Sequence, residues 1–164
     1  AQETLMHLIG ASKEELYKHN LDSIFYVSYG YSEIAFADNT IENIIQSGKL
    51  NLIKNQKITD LLYKWNTLSE IRKTRLTKLD NWSNNELIPY LLPKISFKQM
   101  DMTSNYPWAG ISKVKPDYYP LFQEITFENY LDNNLWYFQQ VKERCQETDI
   151  IIDKIIEATK PNVQ

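Results

Sequence analysis

The sequence predicts an all-α fold: an antiparallel helical bundle with two long helices, shorter N-terminal helices and one long aromatic-rich connection. Apolar residues recur every three or four positions along 58–82 and again along 127–159, which is the spacing of one face of an α-helix. The chain has only four glycines in 164 residues, too few for the many tight turns of a β-rich fold. Because each apolar face must be covered to leave water, the two long helices are expected to pack together.

The first residues predict two short helices with recognisable ends. Apolar residues between Ala1 and Ile9 have helical spacing, and Gly10 offers a stop. A second helix is expected after Ser12, whose hydroxyl would accept a hydrogen bond from a first-turn amide. Glu15 would reach back to the cap and complete a capping box.

A third short helix is predicted from Leu21 to Tyr29. Asn20 precedes it and is a favourable capping residue. Gly30 leaves the end of this helix undecided. The residues expected to point inward are Ile24, Val27 and Tyr31.

A fourth short helix is predicted over 40–46. Asn39 can cap its beginning, and Gly48 can end it because glycine tolerates a left-handed backbone. The apolar residues expected to dock the following segment are Leu50, Leu52 and Ile53.

The strongest pattern predicts one long amphipathic helix from Asn55 to Trp82. The expected buried residues are Ile58, Leu61, Leu62, Trp65, Leu68, Ile71, Leu76, Leu79 and Trp82. A basic stretch at 72–75, followed by Lys78, lies inside this pattern. Charged residues usually remain at the surface, so this stretch is expected to form a solvated face.

The segment after this helix is predicted to be less regular. A break is expected near 84–85, and the pattern then resumes as far as Leu92. Pro89 suits the first turn of the new helix, and Pro93 should end it. Residues 95–119 show neither helical nor strand periodicity and contain three prolines or glycines among several aromatic residues. This segment is predicted to be a long ordered connection.

The last helix is predicted to begin near Thr126 and to carry a continuous bundle seam. Steps of four and three alternate along it: Phe127, Leu131, Asn134, Phe138, Val141, Cys145, Thr148, Ile152, Ile155 and Thr159. Asn134 is the polar exception, and a buried amide must find a partner. Either Asn134 faces inward and fixes the helix register, or Leu135 replaces it in the core.

Composition and charge narrow the functional classes. A formal net charge of -3 gives no electrostatic basis for binding nucleic acid. No run of about 18 or more apolar residues predicts a transmembrane helix within these residues. Cys145 is the single cysteine, so an internal disulfide is impossible. No internal repeat appears, and residues 1–164 are expected to form a single helical bundle domain.

Four segments carry a resemblance to a known family. The central one is TIENIIQSGKLNLIKN at 40–55, a short helix closed by Ser-Gly and followed by a docked Leu-x-Leu-Ile. The others are LIGASKEEL at 8–16, NELIPYL at 85–91 and FENYL at 127–131. Together they resemble a bacterial family catalogued as domain of unknown function number sixty-ninety, over nearly the whole chain.

The resemblance implies a cellular location and no activity. Proteins of this family carry a basic N-terminus, one hydrophobic helix and then a helical domain similar to this one. It therefore implies a membrane anchor through an N-terminal helix that these residues do not contain, with the domain on the periplasmic side of the bacterial inner membrane. The start at Ala1 rather than Met suggests a processed or trimmed chain. No catalytic residue is carried over from the family.

The residues themselves suggest little catalytic chemistry. His7 and His19 lack a second ligand at metal-binding spacing, and Cys145 lies on the predicted seam, where packing is favoured over a nucleophilic role. No phosphate-binding loop, dinucleotide fingerprint or G-x-S-x-G is present. No metal, cofactor or catalytic residue is predicted. The carboxylates available for acid–base pairing are Glu14, Glu15, Asp101, Asp117, Glu124 and Glu128.

The connection supplies the best candidates for recognition, which are Tyr106, Trp108, Tyr118 and Tyr119. Exposed aromatic rings with polar tips give contact area at small entropy loss. The favoured alternative is that these rings plug one end of the bundle.

The leading functional hypothesis is a non-enzymatic ectodomain that binds a protein partner or small ligand, as a sensor or interaction module. A homo-oligomer stays open. The alternatives are a structural subunit of a larger membrane complex, favoured by an apolar surface patch, and a less favoured hydrolase with clustered carboxylates in a deep cleft.

Overall fold

The computed structural model describes residues 1–29 and 39–160, and all regular secondary structure in these ranges is helical. The α-helices are α1 (Gln2–His7), α2 (Lys13–Leu16), α3 (Leu21–Tyr29), α4 (Asn39–Gln46), α5 (Gln56–Trp82), α6 (Ile88–Leu91), α7 (Phe97–Met100) and α8 (Ile125–Thr159). Short 3₁₀ helices lie at Lys49–Leu52, Asp101–Thr103 and Leu121–Gln123, and a π-helical turn lies at Ser83–Leu87. The predicted all-α fold with two long helices is confirmed.

Contacts between residues divide the chain into two compact units. The first unit holds Ala1–Glu33 and Leu79–Tyr137, and the second holds Ile34–Lys78 and Phe138–Gln164. Both long helices contribute residues to each unit. The candidate site described below belongs entirely to the first unit.

Side-chain caps begin α2 and α3 as predicted. The Ser12 hydroxyl accepts a hydrogen bond from the Glu15 amide at 3.2 Å, and the Asn20 side-chain oxygen accepts one from the Ser23 amide at 3.1 Å. Each cap satisfies a first-turn donor that has no partner within the helix. The Glu15 carboxylate pairs with Lys18 at 2.8 Å, so the reciprocal half of the predicted capping box is replaced by an ion pair.

Two glycines in the left-handed region follow the first and fourth helices. Gly10 has φ 73° and Gly48 has φ 69°, backbone angles that residues other than glycine rarely adopt. The Gly10 amide donates to the Phe122 carbonyl at 2.8 Å, which ties the turn after α1 to the last 3₁₀ helix. α4 begins at Asn39 itself, one residue before the predicted start.

Two predicted inward positions near the short helices are wrong. Val27 is 61% exposed, because α3 turns Leu21, Phe25 and Ser28 toward the core. Leu52 is 78% exposed, whereas Leu50 beside it is buried. Ile24 and Ile53 are half-buried. The expectations for Gly30 and Tyr31 lie outside the described residues.

The buried stripe of α5 includes an arginine. Its buried residues recur at helical steps: Leu62, Trp65, Ser69, Arg72 and Leu79. The expectation of a solvated basic face is wrong for Arg72, which is 1% exposed and donates from Nη2 to the Ser69 hydroxyl at 3.1 Å. Ile71 was expected inward and is 37% exposed. The stripe returns every three to four residues through Ser69 and Arg72, so Ile71 falls outside it.

The predicted break after α5 is a π-helical turn. Ser83–Leu87 carries the helix onward with wider turns, and α6 follows directly. Pro89 lies in the first turn of α6, and the helix ends before Pro93. Both proline predictions are confirmed, while the chain stays helical where a break was expected.

The predicted seam of α8 is confirmed in one of its two alternating sets. Residues seven positions apart are all buried: Phe127, Asn134, Val141 and Thr148. In the other set Leu131 is buried and Cys145 half-buried, but Phe138 and Ile152 are 39% and 38% exposed. The prediction is wrong for these two and for Thr159, which is also exposed. Ile155, which continues the first set, is half-buried.

Asn134 faces the interior, which decides the alternative that the sequence left open. It is 1% exposed, and Leu135 beside it is half-buried. Its side-chain oxygen has no hydrogen-bond partner among the described residues. The polar exception that the sequence singled out therefore lies in the buried part of the seam.

The core of the first unit joins the N-terminal helices to α6, α7 and the start of α8. Its buried residues are Leu5, Leu8, Leu16, Leu21, Phe25, Leu87, Leu91, Ile95, Met100, Tyr118, Leu121, Phe122, Phe127 and Leu131. Trp82, the last residue of α5, packs 5.1 Å from the Tyr130 ring and 6.0 Å from the Tyr137 ring near the start of α8. This end-to-start contact is the one expected of antiparallel helices.

Two leucines of the first unit give a matched test of this core. Leu131 is fully buried in α8, whereas Leu92 is 61% exposed. Leu131→Ala is expected to lower the free energy of unfolding by about 2–5 kcal/mol, because it leaves a cavity. Leu92→Ala is expected to change it by less than about 0.5 kcal/mol. Urea unfolding followed by circular dichroism measures both, and equal effects would contradict this core.

Candidate functional site

The structure separates the four predicted recognition residues into two groups. Tyr106 and Trp108 are 49% and 61% exposed, whereas Tyr118 is buried at 4% and Tyr119 is half-buried against the core. The interpretation of these rings as a plug is therefore wrong for Tyr106 and Trp108. It is correct for Tyr118.

Tyr106 and Trp108 form a stacked pair at the tip of a turn. Their ring centres are 4.8 Å apart and the planes are nearly parallel, at 7°. The Ala109 amide donates to the Tyr106 carbonyl at 3.1 Å and closes the turn around Pro107 and Trp108. The Trp108 indole N–H donates to the Asp101 carboxylate at 3.4 Å. The pair is thus held in place at the surface without being buried.

Tyr118 anchors the other end of the connection. Its hydroxyl donates to the Asp22 carboxylate, and its ring lies 5.6 Å from Phe25 in the core. Burial raises the pKa of the Tyr118 hydroxyl far above its ordinary value, and the Asp22 contact raises it further. Tyr118 is a neutral hydrogen-bond donor at physiological pH, and its role is structural.

Asp22 lies in a groove of about 670 Å³ between the junction of α2 and α3, the α7 region and the connection. We call it the Asp22 groove. Its lining includes Tyr17, His19, Asp22, Gln99, Met102 and Ile111. The Gln99 amide donates to Asp22 at 2.7 Å, and its oxygen accepts from the Ser112 amide at 3.4 Å. Gln99 of α7 thus joins Asp22 of α3 to Ser112 of the connection.

A second cluster joins the connection to α2. Asp117 accepts hydrogen bonds from Lys13 Nζ at 2.9 Å, from the Tyr17 hydroxyl at 2.8 Å and from the Tyr119 amide at 3.1 Å. These donors lower the pKa of the Asp117 carboxyl to about 2, the Lys13 contact having the largest effect. The side chains of Lys13 and Asp117 remain more than half exposed, so solvent screens this ion pair.

Glu124 repeats this arrangement before α8. It accepts from Lys94 Nζ and from the Tyr90 hydroxyl, each at 2.7 Å. Lys94 and then Tyr90 lower the pKa of the Glu124 carboxyl. Asp117 and Glu124 line one groove of about 600 Å³, the nearest counterpart to the cleft required by the hydrolase hypothesis. Both are ionised at neutral pH and bound to a lysine, so neither is poised to donate a proton.

The remaining candidates for chemistry are dispersed. His7 is exposed, and His19 lies 3.7 Å from the Glu15 carboxylate. Cys145 is half-buried, and burial raises the pKa of its thiol, which reduces its reactivity. Across residues 1–29 and 39–160, no three histidine, cysteine or acidic side chains come together as a metal site would require.

Acid titration tests the Asp117 cluster. The pKa of Asp117 is lower in the folded chain than its ordinary value of 3.8, so its contribution to stability is complete above pH 3.8 and disappears as the pH falls to about 2. Asp117→Asn is therefore expected to lower the urea midpoint at neutral pH, by an amount that vanishes across this interval. Lys13→Met should show the same pH dependence, and a difference that stays constant down to pH 2 would contradict the assignment.

The comparisons with known proteins add no relative. The chain matches no protein family, no curated protein and no solved structure. In the part of the chain that the structure describes, no helix is both long enough and apolar enough to cross a membrane. The family resemblance stated above stays a prediction.

Proposed function

We propose that this chain is a non-enzymatic binding domain whose recognition surface is the exposed part of the connection. The observation that supports it best is the stacked Tyr106–Trp108 pair, held at the surface by a closed turn and by the Asp101 carboxylate. Tryptophan and tyrosine supply large contact areas and dominate many binding surfaces. A fixed ring pair loses little further entropy when a partner covers it.

The exposed pair has apolar neighbours in the same segment. Met102 is 52% exposed and Ile111 is 72% exposed, and both also line the Asp22 groove. Hydrogen bonds from Gln99 to Asp22 and from Ser112 to Gln99 hold this part of the connection against the helices. The recognition surface is therefore an ordered apolar surface beside a groove, which favours a binding role over an acid–base one.

Site-specific photocrosslinking in the producing cell tests this function. A benzophenone amino acid replaces Trp108 in one variant and Trp136 in the other. Trp136 is the matched control, because it is an exposed tryptophan of the same unit, 50% exposed, and lies on α8 outside the connection. We expect adducts, to protein or to lipid, from position 108 and at least about tenfold fewer from position 136, since a hot spot is confined to few residues.

Two results of this experiment would overturn the proposed function. One is the absence of any adduct at position 108 although both variants accumulate and fold as the unmodified chain does. The other is equal labelling at positions 108 and 136, which would indicate random collision with neighbouring molecules. Melting curves of the purified variants verify folding. Both variants should melt as the unmodified chain does, because both side chains are exposed and contribute little to the core.

We also propose that the domain lies on the periplasmic side of a bacterial inner membrane. The support is the motif resemblance over 8–16, 40–55, 85–91 and 127–131, whose family places its helical domain after a single N-terminal membrane helix. Alkaline phosphatase, which is active only outside the cytoplasm, is fused to the C-terminus of the full gene product. High phosphatase activity in membrane fractions is expected. A parallel fusion to β-galactosidase, which is active only in the cytoplasm, is the control. An active β-galactosidase fusion beside an inactive phosphatase fusion would contradict this location.

A further inference from the structure

Residues 98–115 of the connection carry a local excess of positive charge. Lys98, Lys113 and Lys115 are exposed, and among the described residues none of the three pairs with a carboxylate. Asp101 is the single acid between residues 98 and 115, and it accepts the Trp108 indole hydrogen bond. The connection therefore carries a net positive charge on a chain whose formal net charge is -3.

A backbone hydrogen bond holds Lys98 beside the turn that carries the exposed rings. The Gly110 amide donates to the Lys98 carbonyl at 3.3 Å, and a side-chain carbon built at Gly110 would lie 3.8 Å from the Lys98 side chain. Lys113 occupies the tip of a second turn. There the Ser112 hydroxyl donates to the Val114 carbonyl at 2.7 Å and accepts from the Val114 amide at 3.2 Å. The two turns thus present Trp108 and Lys113 at their tips.

The exposed apolar side chains of the connection have the character of a membrane interface. Trp108, Ile111 and Val114 are 61%, 72% and 80% exposed, and Val114 lies between Lys113 and Lys115 in the sequence. Tryptophan and tyrosine concentrate at the headgroup level of bilayers, where their polar edges remain hydrated. Lysine extends its aliphatic stem along apolar surface and keeps its charge in water.

The lysines favour a lipid surface over a protein surface. Lysine is depleted in protein–protein interfaces, because burying its charge and its flexible side chain is costly. Three uncompensated lysines around a few protruding apolar side chains are unfavourable at the centre of such an interface. At an anionic bilayer the same lysines remain hydrated and attract headgroup phosphates.

We propose that residues 98–115 dock this domain on an anionic phospholipid surface. Trp108, Ile111 and Val114 enter the headgroup region, and the three lysines contact lipid phosphates. This inference rests on the proposed function, since it names the partner of the same surface. It requires no rearrangement of the core, because all these side chains are already exposed.

Vesicle flotation of the purified chain tests the inference. One set of vesicles is phosphatidylcholine, and the other contains phosphatidylglycerol as about a third of its lipid, so the second has an attractive surface potential for lysine. We expect binding to the second set, with loss at high salt. Replacing Lys98, Lys113 and Lys115 together by glutamine should weaken partitioning about a hundredfold, a factor of about five for each lysine.

An aromatic variant and its control test the apolar contribution. Trp108→Ala is expected to weaken partitioning about tenfold through lost apolar burial, and Trp136→Ala should leave it unchanged. Vesicle binding that the lysine and Trp108 variants do not alter would overturn the inference, as would equal binding to both lipid compositions. Protein adducts at position 108 without vesicle binding would overturn it and leave the proposed function standing. No adduct and no vesicle binding would overturn both.

Discussion

The hydrogen bond between Tyr118 and Asp22 determines where the connection lies, and the candidate site depends on it. The Tyr118 ring is part of the same core as Phe25, Phe122 and Phe127, while its hydroxyl reaches the carboxylate at the edge of that core. Separating the two groups would leave the buried Tyr118 hydroxyl without this partner, at a cost of about 1–3 kcal/mol. The end of the connection therefore cannot leave α3 without opening the core.

This anchor explains why an ordered segment exposes so much apolar surface. The connection is held at its end by Tyr118 and in its middle by Gln99, and the Gly110 amide ties the turn that carries Trp108 back to α7. These contacts are polar, and Ile111 remains 72% exposed although it lines the Asp22 groove. The exposure of the connection is thus a consequence of the positions at which it is fixed.

The sequence predicts those parts of the fold in which a capping residue marks a helix start or a regular spacing shows which side of a helix is buried. Helix starts at Ser12 and Asn20 depend on contacts within one turn, and both predictions hold. Residue type alone predicts that Arg72 is exposed. Its position on α5, three residues after Ser69, instead places it on the buried side of the helix. Within the connection no period exists, so the sequence could not tell that Tyr118 is buried while Trp108 is exposed. That difference arises from contacts with residues about a hundred positions away.

The acidic residues that border the connection show why its lysines have no acidic partner. Asp117 and Glu124 each bind one lysine and one tyrosine hydroxyl, and the lysines concerned come from elsewhere in the chain. Sequence could not reveal these pairs, since Lys13 is separated from Asp117 by 104 positions. Each pair removes an acid from the local charge balance and lowers its pKa, which makes it a poor proton donor. The same contacts that weaken the case for acid–base catalysis therefore leave the lysines of the connection uncompensated.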